Sequence, residues 1–372
     1  MLLRFVALTA LGLLLVGVQV RAADVPDLLD TPALSAPRAG EAALLDLTRT
    51  GDTLVAVGER GVVLTRAAGD ADWVQSPTPV SVTLAAVAFN ADRIGLAVGH
   101  DGVILRSTDG GKSWARITDG RALFPVVIEA AKARHAAAEV ALATATEETR
   151  EDLEFELDDQ LFRLETAEQS MAFGPSWPLL DVLFTDATTA WAVGAYGMLF
   201  LSTDAGESWD LVSDRVDNFE DLHLNALLQT RAGSLLIAGE GGMLFRSTDQ
   251  GASFERWDTD DALSLFGLAE NGDTLVAYGF GDSYQISADD GASWQSQGLP
   301  DNLLLIGDVV LGPGRIGLLG GSGLMVEVGA DGAEPGTRPT DSRDFLSGGL
   351  RLEDGQIVLV GEAGLAGAVP GP

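Results

Sequence analysis

Apolar residues run in short alternating stretches through most of the chain, and tight turns separate them. One unit reads Leu179-Leu180-Asp181-Val182-Leu183-Phe184, a polar turn, Ala190-Trp191-Ala192-Val193, a glycine-containing turn, then Met198-Leu199-Phe200-Leu201. A second turn and a short fourth stretch opened by an aromatic residue complete it. Short stretches with period-two alternation predict strands. Aligned on a small residue followed by glycine, the unit returns at Gly58, Gly99, Gly194, Gly239, Gly279, Gly320 and Gly361, at spacings of 41, 95, 45, 40, 41 and 41 residues. Four short strands repeated at this period predict an all-β fold, a seven-bladed β-propeller. The spacing of 95 holds one ordinary repeat plus about 50 further residues.

The turn between the third and fourth strands carries the strongest local motif. It reads STDGGKSW from Ser107, STDAGESW from Ser202, STDQGASF from Ser247 and SADDGASW from Ser287. An aspartate there accepts N–H bonds across its own turn, and the glycine takes a conformation other residues resist. The aromatic residue packs between neighbouring sheets. This is the Asp-box, and it predicts a turn-bracing role for Asp109, Asp204, Asp249 and Asp289. Thr65–Trp73 and Gly329–Pro335 are degenerate copies.

The extra residues read differently. From Val126 to Phe173 there is neither Gly nor Pro, and Ala, Glu, Leu and Arg dominate. This predicts a helical insertion at 121–174, between blades two and three. Leu157, Leu161, Leu164 and Met171 share one helical stripe, and Val127, Ala131, Ala138 and Leu142 another. A single rod would not return the chain to the next blade, so two antiparallel helices are expected, with a bend near Thr144–Thr149.

Antiparallel strands put alternate turns on opposite faces of the disc. The glycine-marked turns between strands two and three share a face with the links between blades, and the insertion emerges there. That face carries Glu59, Arg60, His100, Asp101, Tyr196, Glu240, Phe280 and Glu362. The mixture of acids, aromatics and one histidine makes them candidate partner-binding residues; ordinary solvated turns are the other reading. The insertion adds Glu151, Asp152, Asp158 and Asp159, within a run of ten acids and two bases from Glu147 to Glu168.

At the front, Arg4, an apolar run from Phe5 to Val20 and the Val20-Arg21-Ala22 tripeptide form a signal-peptide pattern over 1–22. The propeller then spans 23–372, and Pro32–Ala39 is expected to supply the outer strand that closes the last blade. A periplasmic destination is expected, with no insertion in the membrane after cleavage. The 372 residues hold 23 Lys+Arg against 55 Asp+Glu, a formal net charge of −32. That argues against nucleic acid or anionic lipid as a partner. There is no Cys, so disulfides, thiol chemistry and Cys-type zinc sites are excluded.

No catalytic group stands out. A sialidase needs an arginine cluster and a tyrosine nucleophile with an acid partner; the tyrosines are Tyr196, Tyr278 and Tyr284, and no FRIP-like phrase is present. His100, His135 and His223 show no ligand spacing. No metal and no cofactor is expected, although weak calcium binding by clustered acids stays open. An Asp-box glycoside hydrolase, and a small molecule or glycan held in the propeller channel, remain as alternatives.

The repeat phrases PLLDVLFTDATTAWAVGAYG at Pro178–Gly197, LHLNAL at Leu222–Leu227 and Leu265-Phe266-Gly267 resemble the photosystem II stability/assembly-factor-like branch of Asp-box propellers. The resemblance spans nearly all of the chain after the first segment, the insertion excepted. It implies an exported propeller that binds a membrane-protein partner as a scaffold and not as an enzyme. In the bacterial branch it also implies an association with RND-type transporters. No site residue is carried over from it.

Overall fold

A computed structural model describes residues 26–172, 174–259, 264–329, 335–340 and 342–370. The signal-peptide pattern at 1–22 and most of the degenerate copy at Gly329–Pro335 lie outside the described residues. The chain opens its first sheet with β1 (Leu44–Thr50), β2 (Thr53–Gly58), β3 (Val63–Ala67) and β4 (Val74–Ser76). The second holds β5 (Leu84–Phe89), β6 (Gly95–Gly99), β7 (Ile104–Ser107) and β8 (Ala115–Thr118). Two helices follow, α1 (Gly120–Ala143) and α2 (Arg150–Ala172). The third sheet is β9 (Leu179–Phe184), β10 (Ala190–Gly194), β11 (Leu199–Ser202) and β12 (Asp210–Leu211). The fourth is β13 (Leu224–Gln229), β14 (Leu235–Gly239), β15 (Met243–Ser247) and β16 (Glu255–Asp258). Then come β17 (Leu265–Asn271), β18 (Thr274–Ser287), β19 (Gln295–Gly312), β20 (Arg315–Gly320), β21 (Leu324–Gly329) and β22 (Gly336–Pro339). The last are β23 (Leu346–Arg351), β24 (Gln356–Gly361) and β25 (Gly364–Pro370).

Each sheet is an antiparallel meander in chain order. Where the repeat pattern predicts separate short strands, β18 and β19 are long, and β17–β22 form one six-stranded sheet. Phe280 pairs with Leu304 and Gly281 with Leu303, so the ladder of one repeat runs on into the next. The first strands touch in the order β1, β5, β9, β13, β17, β19, β23, and β23 touches β1. The fold is a propeller whose inner strands make a closed ring.

The core lies between sheets. One apolar cluster joins Val55, Val57 and Val63 of the first sheet to Ala97 and Leu105 of the second. Another joins Leu44, Ala56 and Leu64 to Val358 and Val360 of the last. The second strands are covered on both faces, which is why they read as unbroken runs such as WAVG rather than alternating ones: β6, β10 and β14 are buried along their whole length. Ala56, Ala97, Ala192, Ala238 and Ala277 are fully buried there and admit the neighbouring sheet.

Closure differs from the expectation. Pro32–Ala39 forms no strand, and the last sheet has three strands among the described residues. Ala33 donates to the Thr78 carbonyl, Ser81 N donates to the Leu28 carbonyl, and Gln75 bonds Leu34 and Ala36. This segment therefore straps the first two sheets. Leu29 explains the choice, because it is buried in the core between them. Arg116 then fixes the segment from β8 by donating to the Leu29 carbonyl and to Asp30 at 3.0 Å.

The helix pair stands on the second and third sheets. Asp119 caps α1 by accepting from Arg121 N at 2.9 Å, so the helix starts ahead of Pro125. Leu123, Phe124 and Val127 sink into the core with Leu179, Val182 and Trp177. The α1 stripe is buried at Val127, Ala131 and Ala138. The α2 stripe is only partly covered: Leu157, Leu164 and Met171 are half-buried, Leu161 is exposed, and Ala167 is the buried residue of that helix. α2 thus rests on its partner through Ala167 and a half-buried stripe, and turns Phe155 and Phe162 outward.

Candidate functional site

The glycine-marked turns have one geometry. A Cβ at Gly58, Gly99, Gly194, Gly239, Gly279, Gly320 or Gly361 would overlap the carbonyl oxygen of Ala43, Thr83, Pro178, His223, Ser264, Leu304 or Phe345, respectively. That residue immediately precedes the first strand of the same sheet, except Leu304, which lies within the long β19. Its carbonyl accepts from the next turn residue, as from Glu59 N at 2.8 Å and Glu240 N at 2.9 Å. The second turn position is left-handed: Arg60, Asp101, Tyr196 and Ser322 have φ of 55°, 59°, 55° and 62°. A bulky side chain is unusual there, and the conformation throws the Tyr196 ring outward.

This geometry assigns local work to several predicted residues. Glu59 accepts from Ala43 N at 3.2 Å, Glu240 from His223 N at 3.2 Å and Glu362 from Phe345 N at 2.8 Å. Each carboxylate therefore pins its own first strand. Asp101 sits against α1 and the strapping segment; burial raises its pKa, and His100 beside it works the other way. Arg60, Phe280 and Glu362 stand on other turns and do not line the cleft described next.

Tyr196 and Glu240 are brought together with the helices. Phe124, Trp177, Tyr196 and His223 form a row of rings, with centroids 5.2, 4.7 and 5.1 Å apart. His223 Nδ1 lies 3.0 Å from Glu240 Oε2, out of line for a hydrogen bond. Behind them, Asp221 meets Arg134 at 3.3 Å and Arg163 at 3.7 Å. Burial raises the Asp221 pKa, with the two guanidinium groups opposing it. Arg163 also donates to Asp159 at 2.6 and 3.1 Å and to the Glu220 carbonyl. Asp159 is thereby engaged inside the arm, whereas Glu151, Asp152 and Asp158 are exposed on α2. The cleft so formed has a volume of about 220 Å³, and Val127, Ala131, Phe162, Trp177 and Leu222 give it apolar walls. Trp177, His223, Asp221, Arg134 and Arg163 were not legible as site residues. The available signal was position: His223 precedes a first strand and so lies under a marker glycine.

The four Asp-boxes superimpose in their bonding. Asp204 accepts from Ser202 Oγ at 2.8 Å, Ser208 N at 2.9 Å and Ser208 Oγ at 2.6 Å, and Ser202 Oγ accepts from Gly206 N. Asp109, Asp249 and Asp289 repeat this with Ser113, Ser253 and Ser293. Partial burial works against ionisation at Asp204, but these donors outweigh it and hold its pKa down to about 2. With every oxygen engaged in its own turn, the group is a brace. Asp204→Ala is expected to lower stability by roughly 1 to 3 kcal/mol in thermal melts, and to leave partner binding by the folded protein unchanged. Lost binding at an unchanged melting temperature would refute the bracing role.

Residues 167–297 match the family model described as photosynthesis system II assembly factor YCF48. The fold is similar to that of YCF48 bound to D1 peptide, at 15% identity and a TM-score of 0.58, covering 86% of this chain and 89% of that one. It is also similar to YCF48 from Cyanidioschyzon merolae, at 14% identity and a TM-score of 0.57, covering 87% and 94%. The WD40 propeller domain of Doa1 matches at 8% identity and a TM-score of 0.57, covering 90% and 94%. No curated protein matches the sequence. The chain is a propeller with Asp-box turns, and its stretch 167–297 is similar to the assembly-factor family.

The channel of this propeller is a second cavity, of about 270 Å³, lined mainly by its first strands. Most of the first strands carry a bulge near their start, as between Leu44 and Asp46 or Leu224 and Ala226. The bulge turns polar residues toward the neighbouring sheet. Asp46 accepts from Val87 N at 2.8 Å and Asp181 from Leu227 N at 2.7 Å. Asn225 donates to the Leu265 carbonyl, Ser347 to the Leu44 carbonyl, and Tyr278 to Asp308 at 2.8 Å. These are clips from sheet to sheet. Burial raises the pKa of Asp181 to about 7 against its Leu227 bond, and that of Asp308 to about 6 against its Tyr278 bond; Asp46 is raised by burial too. Among the described residues no group of three or more His, Cys, Asp or Glu is arranged to hold a metal ion.

Proposed function

We propose that this chain is a seven-bladed, non-catalytic scaffold of the periplasm, with a helical hairpin inserted between blades two and three. Its cleft holds a segment of a membrane-protein partner, and an RND-type transporter or its assembly is the partner class. The observation that carries the reading is the apolar cleft where the helix pair meets Tyr196, His223 and Glu240. The ring of touching first strands supports the blade number. The likeness to a propeller described as bound to a D1 peptide supports a polypeptide occupant. The 1–22 pattern supports export.

The chemistry supports a passive role. Tyr278 and Tyr284 are buried between sheets. Tyr196 is packed between Trp177 and His223, and the two arginines of its cavity are tied to Asp221 and Asp159. The channel carboxylates already accept from backbone N–H groups or from Tyr278, so the cleft is the better docking place.

The test separates arm from ring. Leu123, Phe124 and Val127 are core residues and must stay. Replacing 132–165 with a short Gly/Ser linker removes the outer arm, because Lys132 and Glu168 already face each other at 3.5 Å. The parent is expected to recover an inner-membrane protein from solubilised membranes, identified by mass spectrometry. The armless protein should melt as the parent does and recover none. Equal recovery by both would overturn the reading.

A further inference from the structure

The cleft continues outward as a surface of definite chemistry. Phe162 stands at its mouth, 69% exposed, and Phe155 lies seven residues earlier on the same helix, 77% exposed. Seven residues are two helical turns, so the rings lie on one face, about 10 Å apart. Tyr196, 42% exposed, closes the inner end of the strip. Exposed carboxylates frame it: Glu151, Asp152, Glu154, Asp158 and Glu165 on α2. Of the nearby cations, Arg163 is bonded to Asp159 and Arg134 to Asp221, and the exposed Arg150 at the start of α2 offsets one charge of the frame.

An exposed apolar strip of this kind marks an interaction surface. Charge decides what covers it. A second copy carries the same −32 and brings acids against acids. An anionic membrane surface is repelled in the same way. A cationic amphipathic polypeptide satisfies both features at once: its apolar side chains cover the rings, and its ammonium or guanidinium groups meet the frame. We propose that the strip from the cleft through Phe162 to Phe155 docks a basic amphipathic segment of the partner protein. One apolar side chain of that segment sits between Tyr196 and Phe162, and a second lies on Phe155. This rests on the protein-binding reading above and adds the chemistry of the occupant. It also divides the labour of the surface: the rings set which residues fit, and the carboxylates speed encounter.

The probe is a fluorescein-labelled, amidated twelve-residue peptide of Lys, Ala and Leu, with leucines four residues apart. Two controls replace its leucines with serine or its lysines with glutamate. The protein is the full propeller, read by fluorescence polarisation. The Lys/Leu peptide is expected to bind, and each control at least tenfold more weakly. Added salt should weaken it further. A double variant, Phe155→Ser with Phe162→Ser, is expected to lose at least tenfold in affinity at an unchanged melting temperature, since both side chains are exposed. The proposal is overturned if that variant binds the peptide like the parent, if the glutamate peptide binds as well as the lysine one, or if no peptide binds. The two readings fail separately. Arm-dependent membrane-protein capture that survives the double variant removes this inference and leaves the scaffold. Peptide binding at the strip without membrane-protein capture does the reverse.

Discussion

Alanine at Gly279 is expected to yield a protein that aggregates or melts far below the parent. The Cβ would overlap the carbonyl oxygen of Ser264, with Leu265 Cα next to it. Both obstacles are backbone, so no side chain can move to make room. That carbonyl also accepts from Phe280 N at 3.0 Å, and Leu265 is the ladder partner of Gly279. Relief means sliding β17 off β18, and β17 is a member of the inner ring. Overpacking of this kind costs roughly 3 kcal/mol, and the loss of ladder bonds adds to it. Gly298 is the control, because a Cβ there meets nothing within 4 Å. Gly298→Ala should stay within about 0.5 kcal/mol of the parent. Similar melting temperatures for the two variants would show that the marker glycines are not there for close approach.

Raising the pH from 5 to 8 is expected to destabilise the propeller. Asp181, at about 7, and Asp308, at about 6, have folded values above the 3.8 of the open chain. In that window the native state keeps protons that the unfolded chain has released, so stability falls as pH rises through the folded values. For Asp181 alone the loss is about 3 kcal/mol, or several degrees in a chain of this size. The Asp-boxes run the other way. Asp204 and Asp249 are held down to about 2, so their contribution is present above the open-chain value and is lost as pH falls through about 2. The stability maximum should therefore lie near pH 4 to 5. Asp181→Asn cannot ionise and should flatten the fall between pH 5 and 8 by about half. A melting temperature that climbs from pH 5 to 8, or a slope untouched by Asp181→Asn, would contradict buried protonation in the channel.

The repeat and the Asp-boxes were legible because both are periodic. The side chains of Ser202, Asp204 and Ser208 bond within their own turn, so seven consecutive residues contain the whole device. The marker glycines were legible as positions, but their cause was not. The obstructing carbonyls of Ala43 or Ser264 are about fifteen residues upstream and meet the glycine through the strand register. The channel clips left a readable trace, since Asp46, Asp181, Asn225 and Asp308 are polar residues within apolar first strands. The cleft was half legible. Tyr196, Glu240 and the helix pair were each singled out by type, yet Arg134 of α1, Arg163 of α2 and Asp221 meet only because both helices pack on the loop before β13. The closing strand at Pro32–Ala39 was misread for a physical reason. Leu29, just ahead of the stretch, is buried between the first two sheets and draws it there, and only Ala39 at its end reaches the seam with the last sheet.

The seam between last and first sheets gives the ring the mechanics of a split washer. As at most other junctions, no backbone ladder crosses it among the described residues. It is held by the Ser347 hydroxyl on the Leu44 carbonyl, by Arg49 on Glu353 at 2.8 Å, and by the apolar contact of Leu44 and Leu64 with Val358 and Val360. The arm is rooted elsewhere, two junctions away, where Phe124, Val127 and Trp177 are embedded between the second and third sheets. A load on the arm therefore enters the ring through a thick apolar joint and reaches the seam only after spreading through intervening sheets. A pull on the arm is thus borne first by the second and third sheets, two junctions away from the seam of the last and first sheets.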